Sequence, residues 1–363
     1  MHLEYKPDWE KSQKRFTAWW QGEALDGPLL GVWAPRDKPL IGLPKPPPAS
    51  SPEEQWLNAD YRIAWTDWSC DNTYFAGDAF PMMDTNLGPG SLALHLGSPA
   101  ECAYDTVWYH PAAGFEDITK AELPKFNPQE KYWKINVEIA RKAMKHFAGK
   151  ALVTFPDLIE NIDILASLRG GMDLLTDLLD QPRHIHRLQK VIVDRYFDYY
   201  DAFEPIIRDD DGGTCFSAFQ IWGQGRTAKV QCDFSAMIGV EMFQEFVAPY
   251  LVTQCRRLDH ALYHLDGVDA EKHLNTLLQI SEIHAIQWTP GAGKPHPGSP
   301  DWYGIYDRIL RAGKGAEALA IPIESVQPLV EAVGPKGMMI FTGAKSQEQA
   351  DALVKASKQW KKR

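Results

Sequence analysis

The sequence predicts an α/β fold of the (β/α)8 TIM-barrel class, with an N-terminal extension and an irregular, aromatic-rich segment. Three observations carry that expectation. From residue 130 onward, short apolar runs alternate with amphipathic helical runs, as in ALVTFP (151–156), TCFSAFQ (214–220), ALYHL (261–265), IHAIQW (283–288), ALAIPI (318–323) and MMIFT (338–342). Such alternation implies a parallel sheet with both faces covered. No G-x-G-x-x-G or G-x-x-x-x-G-K-[ST] loop follows any of these runs, which disfavours a dinucleotide-binding sheet. Polar residues gather where the runs end, and the C-terminal strand ends are where a barrel keeps its active site.

The elements follow in chain order. PDWEKSQKRFTAWWQGE reads as a helix capped by Asp8, and PLLGVWAP (28–35) as the first strand, closed by proline. RDKPLIGLPKPPPASSPEEQ (36–55) is too dense in proline for regular structure and is expected to be an outlying arm. The stretch 56–125, with turn signals in NLGPG (86–90) and a strand at YDTVWY (104–109), reads as a cleft wall. Helical periodicity marks 128–147, 158–181, 183–207, 240–260 and 270–280. Further helices are expected after Asp301, after ALAIPI, and at the C-terminus behind the cap Ser346. Seven strands are readable and the eighth is expected within 70–110. The whole of 1–363 is read as one domain, residues 130–345 closing into a parallel barrel and 1–125 supplying the N-terminal helix, first strand, arm and cleft wall.

Composition narrows the function. A net charge of -10 without any Lys/Arg-rich run removes the positive field that nucleic acid or an anionic membrane requires, so a small-molecule ligand is expected. The start MHLEYKPDWEKSQKRF has no apolar leader core, and no run approaches a membrane-spanning length. The five cysteines are scattered, with no C-x-x-C pair, which argues against a disulfide framework or a thiolate zinc cluster. A cytoplasmic protein is the expectation. Of the thirteen tryptophans, many must serve as core or cleft wall.

The strand ends supply the candidate site. In LYHLDG, His264 and Asp266 stand at i and i+2 of an extended strand, so both face one side. A neutral imidazole and a carboxylate so placed can share a metal ion or work as an acid/base pair; the bland alternative is a buried hydrogen bond that pins the strand end. Gly267 lets the following backbone approach a ligand. Asp233, with Ser235 behind it, is either a helix N-cap or a carboxylate hanging over the mouth. Glu324 joins His264, Asp266 and Asp233 as a candidate catalytic group, and Asp157, Trp222, Gln287, Trp288 and Thr342 are candidate substrate contacts. Cys232 is read as structural, and His184 and His186 as solvated surface.

Several segments together resemble the uroporphyrinogen decarboxylase-like superfamily, a (β/α)8 family that includes corrinoid-dependent methyltransferases, and are most like an uncharacterised branch of it. They are FPDLIENIDILASLRGGMDLLTDLLDQP (155–182), CDFSAMIGVEMFQEFVAPYL (232–251), LYHLDG (262–267) and AIQWTPGAG (285–293), with NLGPG (86–90) also similar. The arginine-rich R-Q-A-G-R segment of the porphyrinogen decarboxylases is absent, and an acidic mouth would repel a polyanion. The methyltransferase branch holds zinc through His-x-Cys where this chain has His264-x-Asp266, and FTGAKS carries no further cysteine. An oxygen ligand in place of a thiolate still admits a hard or borderline divalent metal such as zinc. The resemblance implies methyl or other one-carbon transfer, or demethylation, on a small hydroxylated or methoxylated compound, with His264 and Asp266 as metal ligands or acid/base pair and a corrinoid protein as partner. A homodimer is compatible with the sequence. Three alternatives stay open: a decarboxylase-type lyase, for which Arg62, Arg169 or Arg226 must reach the mouth; a carbohydrate-active enzyme using paired carboxylates; and a non-catalytic binding protein.

Overall fold

The computed structural model describes residues 2–363. Its strands are β1 (Leu29–Pro35), β2 (Thr73–Gly77), β3 (Met82–Met83), β4 (Ala100–Cys102), β5 (Val107–Tyr109), β6 (Leu152–Val153), β7 (Gly213–Phe216), β8 (Ile221–Gln224), β9 (Thr227–Gln231), β10 (His260–Asp266), β11 (Ala285–Thr289), β12 (Gly315–Ile321) and β13 (Met338–Gly343). A seven-stranded sheet runs β2-β1-β13-β12-β11-β10-β9. Every pairing in it is parallel except that of β1 with β2. The α/β class and the mostly parallel central sheet therefore match the sequence pattern.

Among the described residues the hydrogen-bonded ladder does not close into a barrel. β3 and β6 pair in parallel over only two residues each. β6 reaches the next element through the single Phe155–Phe216 bridge, and β7 then folds back on β8 as an antiparallel hairpin. The expectation of an all-parallel closed ring within 130–345 is corrected on both counts. β1 and β2 are members of the main sheet, so the N-terminal region is part of the fold's centre as well as its wall.

The registers sort the side chains. Paired residues of neighbouring strands lie on one face, and the row Gln231–His264–Gln287–Glu317–Met339–Leu29 runs across β9, β10, β11, β12, β13 and β1. By the same alternation this inner face also carries Lys229, Asp266, Phe341 and Trp33. The opposite face carries Tyr263, Leu265, Ile286, Trp288, Ala316 and Ile340, all buried beneath the helices. The N-terminal end of the inner face is plugged by helix Trp9–Trp20. Trp19 Nε1 donates to the carbonyl of Gly337 at 2.8 Å, Trp20 Nε1 to that of Trp222 at 2.8 Å, and Trp9 meets Trp222 edge-on at 5.7 Å. A Cβ on Gly315 would lie 2.5 Å from Trp19 Cζ2, so only glycine admits that indole.

Helices Lys131–His146, Pro182–Ile207 and Gln347–Ser357 fall where the periodicity places them, the last capped by Ser346 Oγ on the N–H of Gln349. The 158–181 run is split into Asn161–Arg169 and Gly171–Asp180 at Gly170, whose φ of 94° ends the first helix. The 240–260 run is split at Val247. The proline-rich stretch is an exposed strap through residue 50 but ends in helix Pro52–Leu57, capped by Ser51. Asp71 ties the strap down: its carboxylate accepts the N–H groups of Ile41, Gly42 and Leu43 at 2.5, 3.0 and 2.8 Å. The 56–125 wall holds more regular structure than its composition suggests, including helix Ala59–Asn72 and the β4–β5 hairpin.

Candidate active site

β10 and β9 bring three ligand-bearing side chains together. One donor atom each from Asp233, His264 and Asp266 lies within 4.8 Å of the others. β10 supplies His264 and Asp266 from one face, as the i, i+2 spacing requires, and Asp233 opens the short 3-10 turn that follows β9. His264 Nε2 sits 4.0 Å from Asp266 Oδ2, beyond hydrogen-bond length.

The other ring nitrogen is committed. His264 Nδ1 lies 2.5 Å from Gln287 Oε1, while Gln287 Nε2 donates to the Trp288 carbonyl at 3.0 Å and to Thr289 Oγ1 at 2.9 Å. A carbonyl can only accept, so the Gln287 nitrogen must face it and the Gln287 oxygen must face the histidine. Nδ1 therefore carries the proton, and Nε2 presents its lone pair to the two carboxylates. Burial, with Lys229 nearby, pushes the His264 pKa down to about 4, so the ring is a neutral donor at ordinary pH.

A second chain of contacts orients Asp233. Lys229 Nζ pairs with Asp157 Oδ1 at 2.7 Å and also donates to Gln231 Oε1, and Gln231 Nε2 then donates to Asp233 Oδ2 at 2.8 Å. Lys229 can only donate, which fixes the Gln231 amide and leaves Asp233 as an acceptor. Behind them Asp163 takes the N–H groups of Asp233 and Phe234 at 2.8 and 2.9 Å, and Glu160 Oε1 takes that of Gln231 at 2.5 Å. Burial raises Glu160 to about 8; burial and the nearby Asp233 raise Asp163 to about 7. Burial also raises Asp233 and Asp266. Asp157, Glu160, Asp163 and Asp233 thus lie near one lysine, with Asp266 beside Asp233; even with Glu160 protonated at neutral pH the carboxylates outnumber that lysine, an excess of negative charge that a divalent cation would relieve.

The loop after β6 that supplies Asp157 and Glu160 is strained. Ile159 and Asn161 hold φ of 53° and 61°, both buried, and the Asn161 amide has no hydrogen-bond partner among the described residues. Such backbone persists only where its surroundings over-determine it. Phe219 covers His264 with ring centroids 4.6 Å apart.

The remaining sequence candidates lie elsewhere. Trp288 is fully buried on the outer face against Trp302, 5.5 Å between rings. Thr342 is buried there too, and its hydroxyl donates to the Ile321 carbonyl at 2.7 Å. Trp222 packs against Trp9 and donates to Asp209 at 2.7 Å. Glu324 is exposed in the first turn of helix Ile323–Val333, because β12 stops at Ile321 and Pro322 caps the helix. Cys232 is buried, in keeping with a structural role. His186 is not merely solvated: it stacks on Phe246 at 4.8 Å and bonds Tyr250 at 2.8 Å. The three arginines are committed to partners outside the His264 cluster. Arg62 holds the carbonyls of Trp56, Asp84 and Asn86; Arg169 holds Asp177; Arg226 holds Asp201.

Sequence reasoning missed Lys229, Gln231, Glu160 and Asp163. A signal existed: in TAKVQCD the polar residues Lys229, Gln231 and Asp233 alternate with Ala228, Val230 and Cys232, the period of a strand with one polar face.

The fold has a solved counterpart. Over 96% of this chain and 98% of the other, it superposes on a methyltransferase from Methanosarcina mazei with a TM-score of 0.62 at 9% sequence identity. At that identity the likeness establishes a shared fold. No protein-family model and no curated protein matches the sequence. Among the described residues no helix is long and apolar enough to cross a membrane.

Proposed function

We propose that the chain is a metal-assisted enzyme that moves a methyl or other one-carbon group from the oxygen of a small hydroxylated or methoxylated compound. The observation that carries this reading is the free Nε2 lone pair of His264, held by Gln287 toward Asp233 and Asp266. One imidazole and two carboxylates suit a hard or borderline divalent cation such as zinc. A cation held by these three residues would supply Lewis acidity toward a substrate oxygen. The protein's own part is to keep His264 neutral and aimed, to set Asp233 through Lys229 and Gln231, and to exclude water with Phe219. When the carbon–oxygen bond breaks, the bonding pair stays on the substrate oxygen and the methyl group goes to a nucleophile. The resemblance to corrinoid-dependent methyltransferases and the shared methyltransferase fold support a corrinoid protein as the partner that brings that nucleophile. The disposal of Arg62, Arg169 and Arg226 elsewhere weighs against a lyase acting on a polycarboxylate.

Elemental analysis of the purified protein tests the reading. One divalent ion per chain, lost in His264→Ala, is the expected result. A metal-free preparation that still demethylates a methoxylated compound would overturn it.

A further inference from the structure

The NLGPG turn (86–90) and the residues that follow it grip the strained loop after β6. Asn86 Oδ1 accepts the backbone N–H of Asp157, and a backbone N–H can only donate, so the orientation of the Asn86 amide is fixed. The Asp157 carbonyl in turn accepts the N–H groups of Gly90 and Ser91 at 3.1 and 2.9 Å and the Ser91 hydroxyl at 3.0 Å. The Leu92 N–H donates to the Leu158 carbonyl at 3.1 Å. Both backbone polar groups of Asp157 are therefore held from one short segment. The grip falls just before Ile159 and Asn161, whose positive φ angles persist only where the surroundings over-determine them.

The turn is itself anchored. Arg62 Nη1 donates to the Asn86 carbonyl and Nη2 to that of Asp84, each at 2.6 Å, and the Tyr109 hydroxyl donates to the Leu87 carbonyl at 2.8 Å. Arg62 belongs to helix Ala59–Asn72 and Tyr109 to β5, so two elements of the 56–125 wall fix the turn. On the far side of Asp157 the contacts continue without a gap. Its Oδ1 meets Lys229 Nζ at 2.7 Å, Lys229 donates to Gln231 Oε1, and Gln231 Nε2 donates to Asp233 Oδ2 at 2.8 Å.

We infer that Asn86 is a positioning residue for the metal candidate, an inference that rests on the metal-assisted reading above. By fixing the Asp157 backbone it sets, through Lys229 and Gln231, where the Asp233 carboxylate stands. Groups that orient a ligand from behind in this way tune the affinity for the ion. Arg62 then has a task of its own: it is the far anchor of the chain that ends at Asp233.

Competition of Co²⁺ against a chromogenic chelator, with the visible absorption of the Co²⁺-loaded protein, tests this. Asn86→Leu, close in size but without an acceptor, should bind Co²⁺ about tenfold more weakly than the parent and shift the d–d band. Asn86→Asp keeps an oxygen facing the N–H and should bind nearly as the parent does. In an Asp157→Asn background, where the link to Lys229 is already weakened, Asn86→Leu should cost little more, because members of one network are not additive. Should Asn86→Leu fail to fold, Asn86→Ser, whose hydroxyl stops one bond short of the Oδ1 position, is read by the same criteria. Unchanged Co²⁺ affinity with a lowered melting temperature would make Asn86 structural only and overturn the inference, as would the full loss persisting in the Asp157→Asn background; the metal-assisted reading survives both. A parent that takes up no Co²⁺ overturns that reading, and the inference with it.

Discussion

Lys229 Nζ stands 2.7 Å from Asp157 Oδ1, and neither side chain has appreciable contact with solvent. The strand β9 and the loop after β6 are thus joined by one buried ion pair, with the rings of Phe216 and Phe219 within 5.6 and 5.8 Å of the ammonium. Removing the cation alone strands Asp157. Lys229→Met should cost about 3–5 kcal/mol in urea unfolding, and adding Asp157→Asn to it should return part of that loss. Full stability in the single variant would show that the pair does not hold the two elements together.

At the metal candidate the energetic signature is the reverse. His264→Ala and Asp266→Asn each remove one of the three metal-facing groups, so metal content should fall to background, and in the isosteric, half-exposed Asp266→Asn the melting temperature should stay within about 4 °C of the parent. A collapse in melting temperature with the metal retained would make His264 a packing residue held by Gln287 and Phe219.

Gln287→Leu probes the positioning of the ring. Without the Oε1 acceptor the His264 tautomer is no longer fixed, and metal affinity should fall about 10- to 100-fold while the fold persists. Competition against a chromogenic chelator measures it; an unchanged dissociation constant would remove Gln287 from the account.

Glu160 makes stability depend on pH. Its pKa is raised by burial from 4.5 when unfolded to about 8 when folded, so the native state holds the proton more tightly. The group's contribution is fully present below pH 4.5 and is lost as pH climbs through about 8, at up to about 1.4 kcal/mol per unit. Glu160→Gln should flatten that decline: relative to the parent, the variant gains stability at pH 8.5 over its standing at pH 5. Parallel stability–pH curves for the two proteins would refute the assignment.

The sequence is legible where strands are apolar and the site residues interrupt them singly, as in LYHLDG and IHAIQW, which form β10 and β11 nearly as read. It is misleading where a strand's inner face is wholly polar. β9 alternates Lys229 and Gln231 with apolar residues, and this lysine looks solvent-facing until Asp157 arrives from 72 positions away to cover it. Glu324 fails for a different reason. The apolar run ALAIPI extends past the true strand end, and Pro322 begins the helix two residues before the carboxylate. β6 shrinks to two residues because its continuation bonds Cys215 and Phe216 rather than β3, a pairing that no local pattern announces.

The tryptophan plug settles which end of the inner face is free. With Trp9, Trp19 and Trp222 filling the N-terminal end, approach to His264 from below is blocked, and the Asp233 and Asp266 carboxylates stand at the opposite, C-terminal strand ends.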